Sequence, residues 1–94
     1  MAPEDLEALI ADGRQPVVLD VRSAFEFKSG HIPGAIHAPL PGLKAVAGDA
    51  VDDKSSKVVL VCEHGPRAQI ARIALKLSGY RDLELLEGHM SLWR

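Results

Sequence analysis

The stretch that decides the fold is Lys57-Val58-Val59-Leu60-Val61-Cys62-Glu63-His64-Gly65-Pro66-Arg67. Its first five residues are mostly apolar and β-branched and do not alternate, which is typical of a strand buried on both faces of a parallel sheet. The following segment, 67–78, has apolar residues at helical spacing, at Ile70, Ile73, Ala74 and Leu77, and Gly79 is placed to end it. The stretch therefore predicts a strand, a short loop that begins with a cysteine, and a helix.

The rest of the chain alternates between helix-like and strand-like segments. The predicted helices cover 3–12, 23–28 and a patch near 43–47, the predicted strands cover 17–21, 35–37 and 83–86, and 49–56 is a polar loop. Such alternation predicts an α/β fold with a parallel sheet and right-handed crossovers. Sites in these sheets form beyond the carboxyl ends of the strands. Asp20, Arg22 and Cys62 all lie at such predicted ends.

Length and composition suit one small domain over residues 1–94. Apolar residues make up 47 percent of the 94-residue chain, and the formal net charge is −2 with both signs interspersed. Because there is no basic stripe, we expect no nucleic-acid partner. No apolar run approaches the roughly 20 residues that span a bilayer, and the acidic start lacks a signal-peptide pattern. We therefore expect a soluble, cytoplasmic domain without a membrane partner.

Cys62 is the only cysteine, so the chain forms no internal disulfide. A thiol between a strand and a helix N-terminus meets unpaired N–H groups and partial positive charge, which favour the nucleophilic thiolate. Gly65 allows the loop to turn with a positive φ, Pro66 suits a first helical turn, and Arg67 supplies a fixed charge. The alternative is that Cys62 is a buried small hydrophobe. No pair among the four histidines and Cys62 has zinc-like spacing, so we expect no metal and no cofactor.

Three separated segments together form one pattern: they are Asp20-Val21-Arg22 followed by Glu26, the stretch Gly30-His31-Ile32-Pro33-Gly34-Ala35-Ile36-His37-Ala38-Pro39, and Cys62 through Arg67. A weaker fourth segment is Leu86-Glu87-Gly88-His89 with Trp93. In this order and spacing the segments resemble the rhodanese-like domains, a sulfurtransferase family. The resemblance implies a three-layer α/β domain whose small, mainly parallel central sheet is flanked by helices. It leaves open whether the family's usual first strand and last segment are missing. His89 stands where the family commonly has a second glycine.

The resemblance implies an enzyme that moves sulfane sulfur from thiosulfate or a persulfide to a thiol or cyanide acceptor through a Cys62 persulfide. In the implied site the catalytic residue is Cys62. The anion-binding loop consists of Glu63, His64, Gly65, Pro66 and Arg67, and the supporting residues are Asp20, Arg22, Glu26 and His31. One alternative is a module that only carries sulfur or binds partners in a sulfur relay. Another is a cysteine phosphatase or arsenate reductase. Related phosphatases place five residues between cysteine and arginine, whereas four lie between Cys62 and Arg67.

The charges of the predicted site bear on substrate choice and on support for the loop. We expect the negative charge of Glu63 to offset the positive charge of Arg67, so that a partly charged His64 decides the net charge around Cys62. The dianion thiosulfate is therefore expected to be a weak substrate. Arg22 and Glu26 are four residues apart, which predicts an ion pair across one helical turn. We expect His31 to be a structural residue of a turn near the site.

Overall fold

A parallel sheet forms the centre of the computed structural model, which describes residues 1–93. Within them the strands are β1 Val17–Asp20, β2 Ile36–His37, β3 Lys57–Val61 and β4 Asp82–Leu85. They lie in the order β2-β1-β3-β4, and every neighbouring pair is parallel. The predicted parallel sheet is confirmed, and the predicted strand at 57–61 has the observed bounds.

Helices connect the strands. They are α1 Pro3–Ala11, α2 Ala24–Lys28, α3 Leu43–Ala50 (preceded by a 3-10 turn, Leu40–Gly42), α4 Pro66–Leu77 and α5 His89–Trp93. Proline begins α1 and α4, where its missing N–H costs no helical hydrogen bond. The prediction for α3 was too short, because the helix continues to Ala50 and the following Val51 is buried. The polar loop is correspondingly shorter than predicted.

Apolar side chains cover both faces of the sheet. On one face Leu19, Val58 and Leu60 pack with α3 and α4, and on the other Val18, Val59 and Val61 pack with residues of α1 and α5. Every residue from Val58 to Val61 is fully buried, which explains why the strand sequence shows no alternation. The predicted three-layer arrangement of helices around the sheet is confirmed.

The buried face of α4 differs from the predicted apolar stripe. Ile70, Ile73 and Leu77 are 57, 56 and 84 percent exposed, whereas Ala68, Ala71 and Leu75 are fully buried. The prediction of a helix was right, but the apolar residues on which it rested are mostly not the ones that face the core. Small alanine side chains let the helix backbone lie close to the sheet, so the fold turns the alanine side inward and leaves the isoleucines outside.

The strand register determines where the loops emerge. Asp20 of β1 is paired with Val61 of β3, and the Val21 N–H donates to the Val61 carbonyl over 2.9 Å. The segments that follow β1 and β3 therefore leave the same edge of the sheet side by side. Within residues 1–93 no helix is both long enough and apolar enough to cross a membrane.

Candidate active site

The Cys62 sulfur lies under the turn formed by the residues that follow it. The N–H of Gly65 donates to Cys62 Sγ over 2.8 Å. Gly65 has a φ of +130°, a value that side-chain-bearing residues rarely adopt, so glycine is required for this turn. Cys62 is 0 percent exposed and also contacts the apolar cluster formed with α3 and α4. The thiol therefore combines full burial with a main-chain donor on its sulfur.

The start of α5 holds the main chain of Cys62 from the other side. The Cys62 N–H donates to His89 Nδ1 over 3.2 Å, and the Cys62 carbonyl accepts the Met90 N–H over 3.0 Å. The carbonyl of Glu63 accepts the Ser91 N–H over 3.2 Å. Sequence reasoning did not place His89 in the site. The signal was present in the weak match at 86–89, but the spacing alone did not show that this segment reaches the cysteine.

Arg67 lies at the end of the loop and forms a two-pronged ion pair with Glu26. Its two terminal nitrogens lie 2.6 and 2.9 Å from the Glu26 carboxylate oxygens. The hydrogen bond from Arg67, with help from the Ser23 backbone N–H, lowers the pKa of Glu26 to about 2. The Glu26 hydrogen bond raises the pKa of Arg67, and the charges of Cys62 and Asp20 raise it further. Arg67 therefore stays cationic and interacts electrostatically with the thiol.

Arg22 is buried beneath the loop and is surrounded by acceptors. Its guanidinium donates to both carboxylate oxygens of Asp20, with the shortest distance 2.8 Å, and to the Gly30 carbonyl over 2.8 Å. The fourth acceptor atom, Glu63 Oε1, lies 3.3 Å from Arg22 Nη1. The Asp20 hydrogen bond is the main reason why the pKa of Arg22 is raised. Since Arg22 and Asp20 are 0 and 1 percent exposed, this pair is part of the interior.

The carboxylate partners of the two arginines differ from the expected ones. The expected Arg22–Glu26 pair does not form, because Arg22 precedes the N-cap Ser23 and so lies outside α2, with its side chain turned back to Asp20. Glu26 occupies the third helical position, where it accepts the Ser23 N–H and reaches Arg67. Glu63 was expected to offset Arg67 but instead lies beside Arg22. Glu26 therefore pairs with Arg67, and Glu63 with Arg22, the reverse of the expected partners.

A group of stacked rings supports the Arg22 segment. His31 stacks on Phe27 with ring centres 3.8 Å apart, and its Nδ1–H donates to the Phe27 carbonyl over 2.8 Å. His37 also stacks on Phe27, and its Nε2–H donates to the Arg22 carbonyl over 2.8 Å. The contacts of His31 are those of a residue that ends α2 and shapes the turn after it. Sequence reasoning missed His37, because a histidine in a two-residue strand carries no pattern.

The remaining predicted loop residues lie at the surface of the turn. His64 and Pro66 are exposed, and Pro66 is the first residue of α4, where it contributes no N–H to the loop. Within residues 1–93, no group of three or more histidine, cysteine, aspartate or glutamate side chains is arranged to hold a metal ion. The turn places one main-chain donor, the Gly65 N–H, on the sulfur, and Arg67 supplies the positive charge that interacts with the thiol.

The arrangement of a thiol, a short main-chain turn and a paired arginine after a parallel strand agrees with a known family. The family model described as rhodanese-like domain matches residues 2–94. The chain belongs to the rhodanese-like family. The chain's fold is similar to a crystal structure of a rhodanese-like domain protein from Staphylococcus aureus, with a TM-score of 0.85. The two are 23 percent identical, over 100 percent of this chain and 89 percent of that one.

Two relatives of similar sequence are enzymes of one class, the thiosulfate sulfurtransferases. The rhodanese-like chain is 36 percent identical over 92 residues to the thiosulfate sulfurtransferase GlpE of Pseudomonas savastanoi, covering 98 percent of this chain and 83 percent of the relative. It is 33 percent identical to GlpE of Pseudomonas aeruginosa over 94 residues, covering 100 and 82 percent. The prediction of a rhodanese-type sulfurtransferase, with a sulfur donor and an acceptor as substrates, is confirmed. The roles of the individual site residues stay predictions.

Proposed function

We propose that Cys62 carries the transferred sulfur as a persulfide. In the first step the Cys62 thiolate attacks the outer, sulfane sulfur of a donor. A new S–S bond forms, and the donor's own S–S bond breaks, so sulfite or a thiolate leaves with the electron pair. In the second step a thiol or cyanide attacks the outer sulfur of the Cys62 persulfide. That S–S bond breaks and the Cys62 thiolate is restored, with no external oxidant or reductant consumed.

The Gly65 N–H that donates to Cys62 Sγ over 2.8 Å is the observation that carries this proposal. A main-chain donor on the sulfur stabilises negative charge there in the thiolate. Arg67 adds a permanent positive charge that interacts with the thiol. A cysteine that served only as a small apolar side chain would need neither group. These contacts favour a nucleophilic thiol over the alternative of a simple core residue.

Full burial of Cys62 bears on how a donor reaches the sulfur. His64 and Pro66 are exposed, and they form the outer side of the turn that covers the thiol. We infer that the donor sulfur enters from this side, with a local opening of residues 63–66. An apolar cleft of about 290 Å³ (formed by Val21, Pro39, Leu40 and Pro41 among others) begins at Arg67 and offers a place for the body of a donor or acceptor.

The ion pairs of the site favour a persulfide over thiosulfate as donor. Arg67 faces Glu26, and Arg22 faces both Asp20 and Glu63, so three carboxylates accompany two guanidinium groups. Such a site attracts a compact dianion weakly, whereas a persulfide spreads its charge over a larger molecule whose organic part fits the apolar cleft. The relatives' name supports thiosulfate as a substrate. We therefore propose that thiosulfate reacts, but more slowly than a low-molecular-weight or protein-bound persulfide from a sulfur relay.

Intact-protein mass spectrometry tests the proposal. After incubation with thiosulfate or glutathione persulfide, the protein should gain one sulfur, about 32 mass units, and lose it on addition of cyanide. The Cys62→Ser variant should gain nothing, and the persulfide should react faster than thiosulfate. No gain with either donor would contradict the persulfide mechanism and favour the alternative of a module that binds partners without turnover. Hydrolysis of a phosphate ester would favour the phosphatase alternative.

A further inference from the structure

His89 has a backbone conformation that is unusual for its residue type. Among residues 1–93 it is the non-glycine residue with a positive φ, +50°, and only 7 percent of it is exposed. The left-handed conformation costs an L-residue on the order of 1 kcal/mol relative to glycine. A polar ring that is both buried and strained is retained where its contacts offset that cost. The contacts of the imidazole therefore indicate its role.

The ring of His89 touches both ends of the turn that carries Cys62. Its Nδ1 accepts the Cys62 N–H over 3.2 Å. At the other end of the turn, a Cβ added to Gly65 would lie 3.3 Å from His89 Nε2, so the ring packs against the residue whose N–H donates to the sulfur. Because the Cys62 N–H can only donate, Nδ1 must be unprotonated, and the neutral ring carries its proton on Nε2.

We propose that His89 is a positioning residue for sulfur transfer, whose neutral imidazole holds both ends of the Cys62–Gly65 turn and whose protonation releases the Cys62 end. The consequence for sulfur transfer rests on the function proposed above. A protonated imidazole has N–H groups at both nitrogens, so its Nδ1 opposes the Cys62 N–H instead of accepting it. The turn then loses one of the contacts that place the sulfur beneath Gly65.

The surroundings of His89 favour the neutral ring. Burial lowers the pKa of His89 below its usual value of 6.5, and the nearby charge of His64 lowers it further. Of the carboxylates that follow or precede the ring's neighbours, Glu63 lies beside Arg22, and Glu87 lies 3.9 Å from the amino group of Met1. None of the ion pairs observed within residues 1–93 includes the His89 ring. The turn is held at neutral pH and is released in acid.

Two variants separate the effect of the His89 side-chain acceptor from the effect of the positive φ at that position. His89→Asn retains a side-chain acceptor close to the position of Nδ1, tolerates a positive φ and does not titrate. His89→Gly also accepts the positive φ but removes the acceptor. The rate of sulfur gain at Cys62 from glutathione persulfide should fall about fivefold in His89→Gly at pH 8 and should be largely retained in His89→Asn. A residue with only a packing role would not be rescued by the small asparagine.

The pH profile provides the decisive readout. In the ratio of the wild-type rate to the His89→Asn rate, any pH dependence that both proteins share, including ionisation of Cys62, cancels. This ratio should fall below pH 6.5, and His64→Gln should move the fall to higher pH because it removes a positive neighbour. In parallel, the NMR signals of the Cys62 and Gly65 amides should shift with the midpoint of the His89 ring signals in the wild type. These amide shifts should be absent in His89→Asn.

The two readouts distinguish the failure of this proposal from the failure of the proposed function. The positioning role would be overturned by a ratio of wild-type to His89→Asn rates that stays constant between pH 5 and 8. It would also be overturned if the NMR signals of the Cys62 and Gly65 amides did not shift with the titration of His89. If the amides follow His89 but no donor adds sulfur at any pH, the persulfide function fails while the His89–turn coupling is supported. Equal rates in His89→Gly and the wild type at pH 8 would also overturn the proposal.

Discussion

The segments that follow β1 and β3 leave the sheet at the same edge, yet they use their polar residues differently. After β1, Arg22 is fully buried and its donors are taken up by Asp20, the Gly30 carbonyl and Glu63. After β3, the side chain of Arg67 is 37 percent exposed and has Glu26 as its carboxylate partner. One segment is an internal scaffold, and the other presents a turn and a cation beside the thiol.

Two ion pairs join the segments that follow β1 and β3. Glu63 follows β3 but lies beside Arg22 of the first segment, and Glu26 follows β1 but lies beside Arg67 of the second. Each segment therefore contributes a carboxylate to the other segment's arginine. Because both links cross from one strand end to the other, they hold the turn around Cys62 against the scaffold. Breaking either link should reveal which arginine stabilises the fold and which serves the chemistry.

The largest expected effect comes from breaking the scaffold. Arg22→Met should lower the free energy of unfolding by about 3–5 kcal/mol, because it leaves the Asp20 carboxylate buried without its partner. Urea denaturation measures this loss. The double variant with Asp20→Asn should recover part of it, since the uncompensated charge is then removed. A loss below about 1 kcal/mol in Arg22→Met would contradict the scaffold role.

Removing the partly exposed Arg67 should affect chemistry more than stability. Arg67→Met should change the free energy of unfolding by no more than about 1 kcal/mol, because its ion pair is partly solvated. The rate of sulfur gain at Cys62 should fall about tenfold or more, since a fixed charge near the sulfur is lost. Arg67→Lys is the matched control and should keep part of the rate. An unchanged rate in Arg67→Met would show that this cation does not assist transfer.

Releasing Arg67 from its partner should sharpen the difference between donors. Glu26→Gln keeps the side chain that caps α2 but removes the negative charge beside Arg67. Sulfur gain from thiosulfate should rise about two- to fivefold, whereas gain from glutathione persulfide should change less. The thiosulfate enhancement should shrink at high salt, which screens the exposed charge. If both donors respond equally, the explanation of donor preference by local charge is wrong.

The smallest effect is the contribution of Glu26 to acid stability. Its pKa is about 2 in the folded protein and 4.5 ordinarily, so the unfolded chain binds the proton at higher pH. This contribution is complete above pH 4.5 and is lost as the pH falls from 4.5 towards 2. The unfolding free energy of Glu26→Gln, measured by urea denaturation between pH 6 and 3, should therefore decline less steeply than that of the wild type. Parallel curves would contradict the assignment.

Several local features could be predicted because a few neighbouring residues encode them. The run at 57–61 predicts a strand buried on both faces, and Gly65 and Pro66 predict the turn and the start of α4. The direction of burial in α4 could not be predicted in this way. Both sides of that helix are apolar enough to pack, and the close approach to the sheet selected Ala71 and Leu75 over Ile73.

Patterns within short segments were enough to predict the parallel α/β order, the family and the place of Cys62 at the end of a strand. The partners of the charged groups, and of the Cys62 N–H and carbonyl, depend instead on the three-dimensional fold. Glu26 and Arg67 are 41 residues apart, and Cys62 and His89 are 27 apart. Their contacts depend on strand order and register, which bring distant segments to one edge of the sheet and which no local pattern specifies.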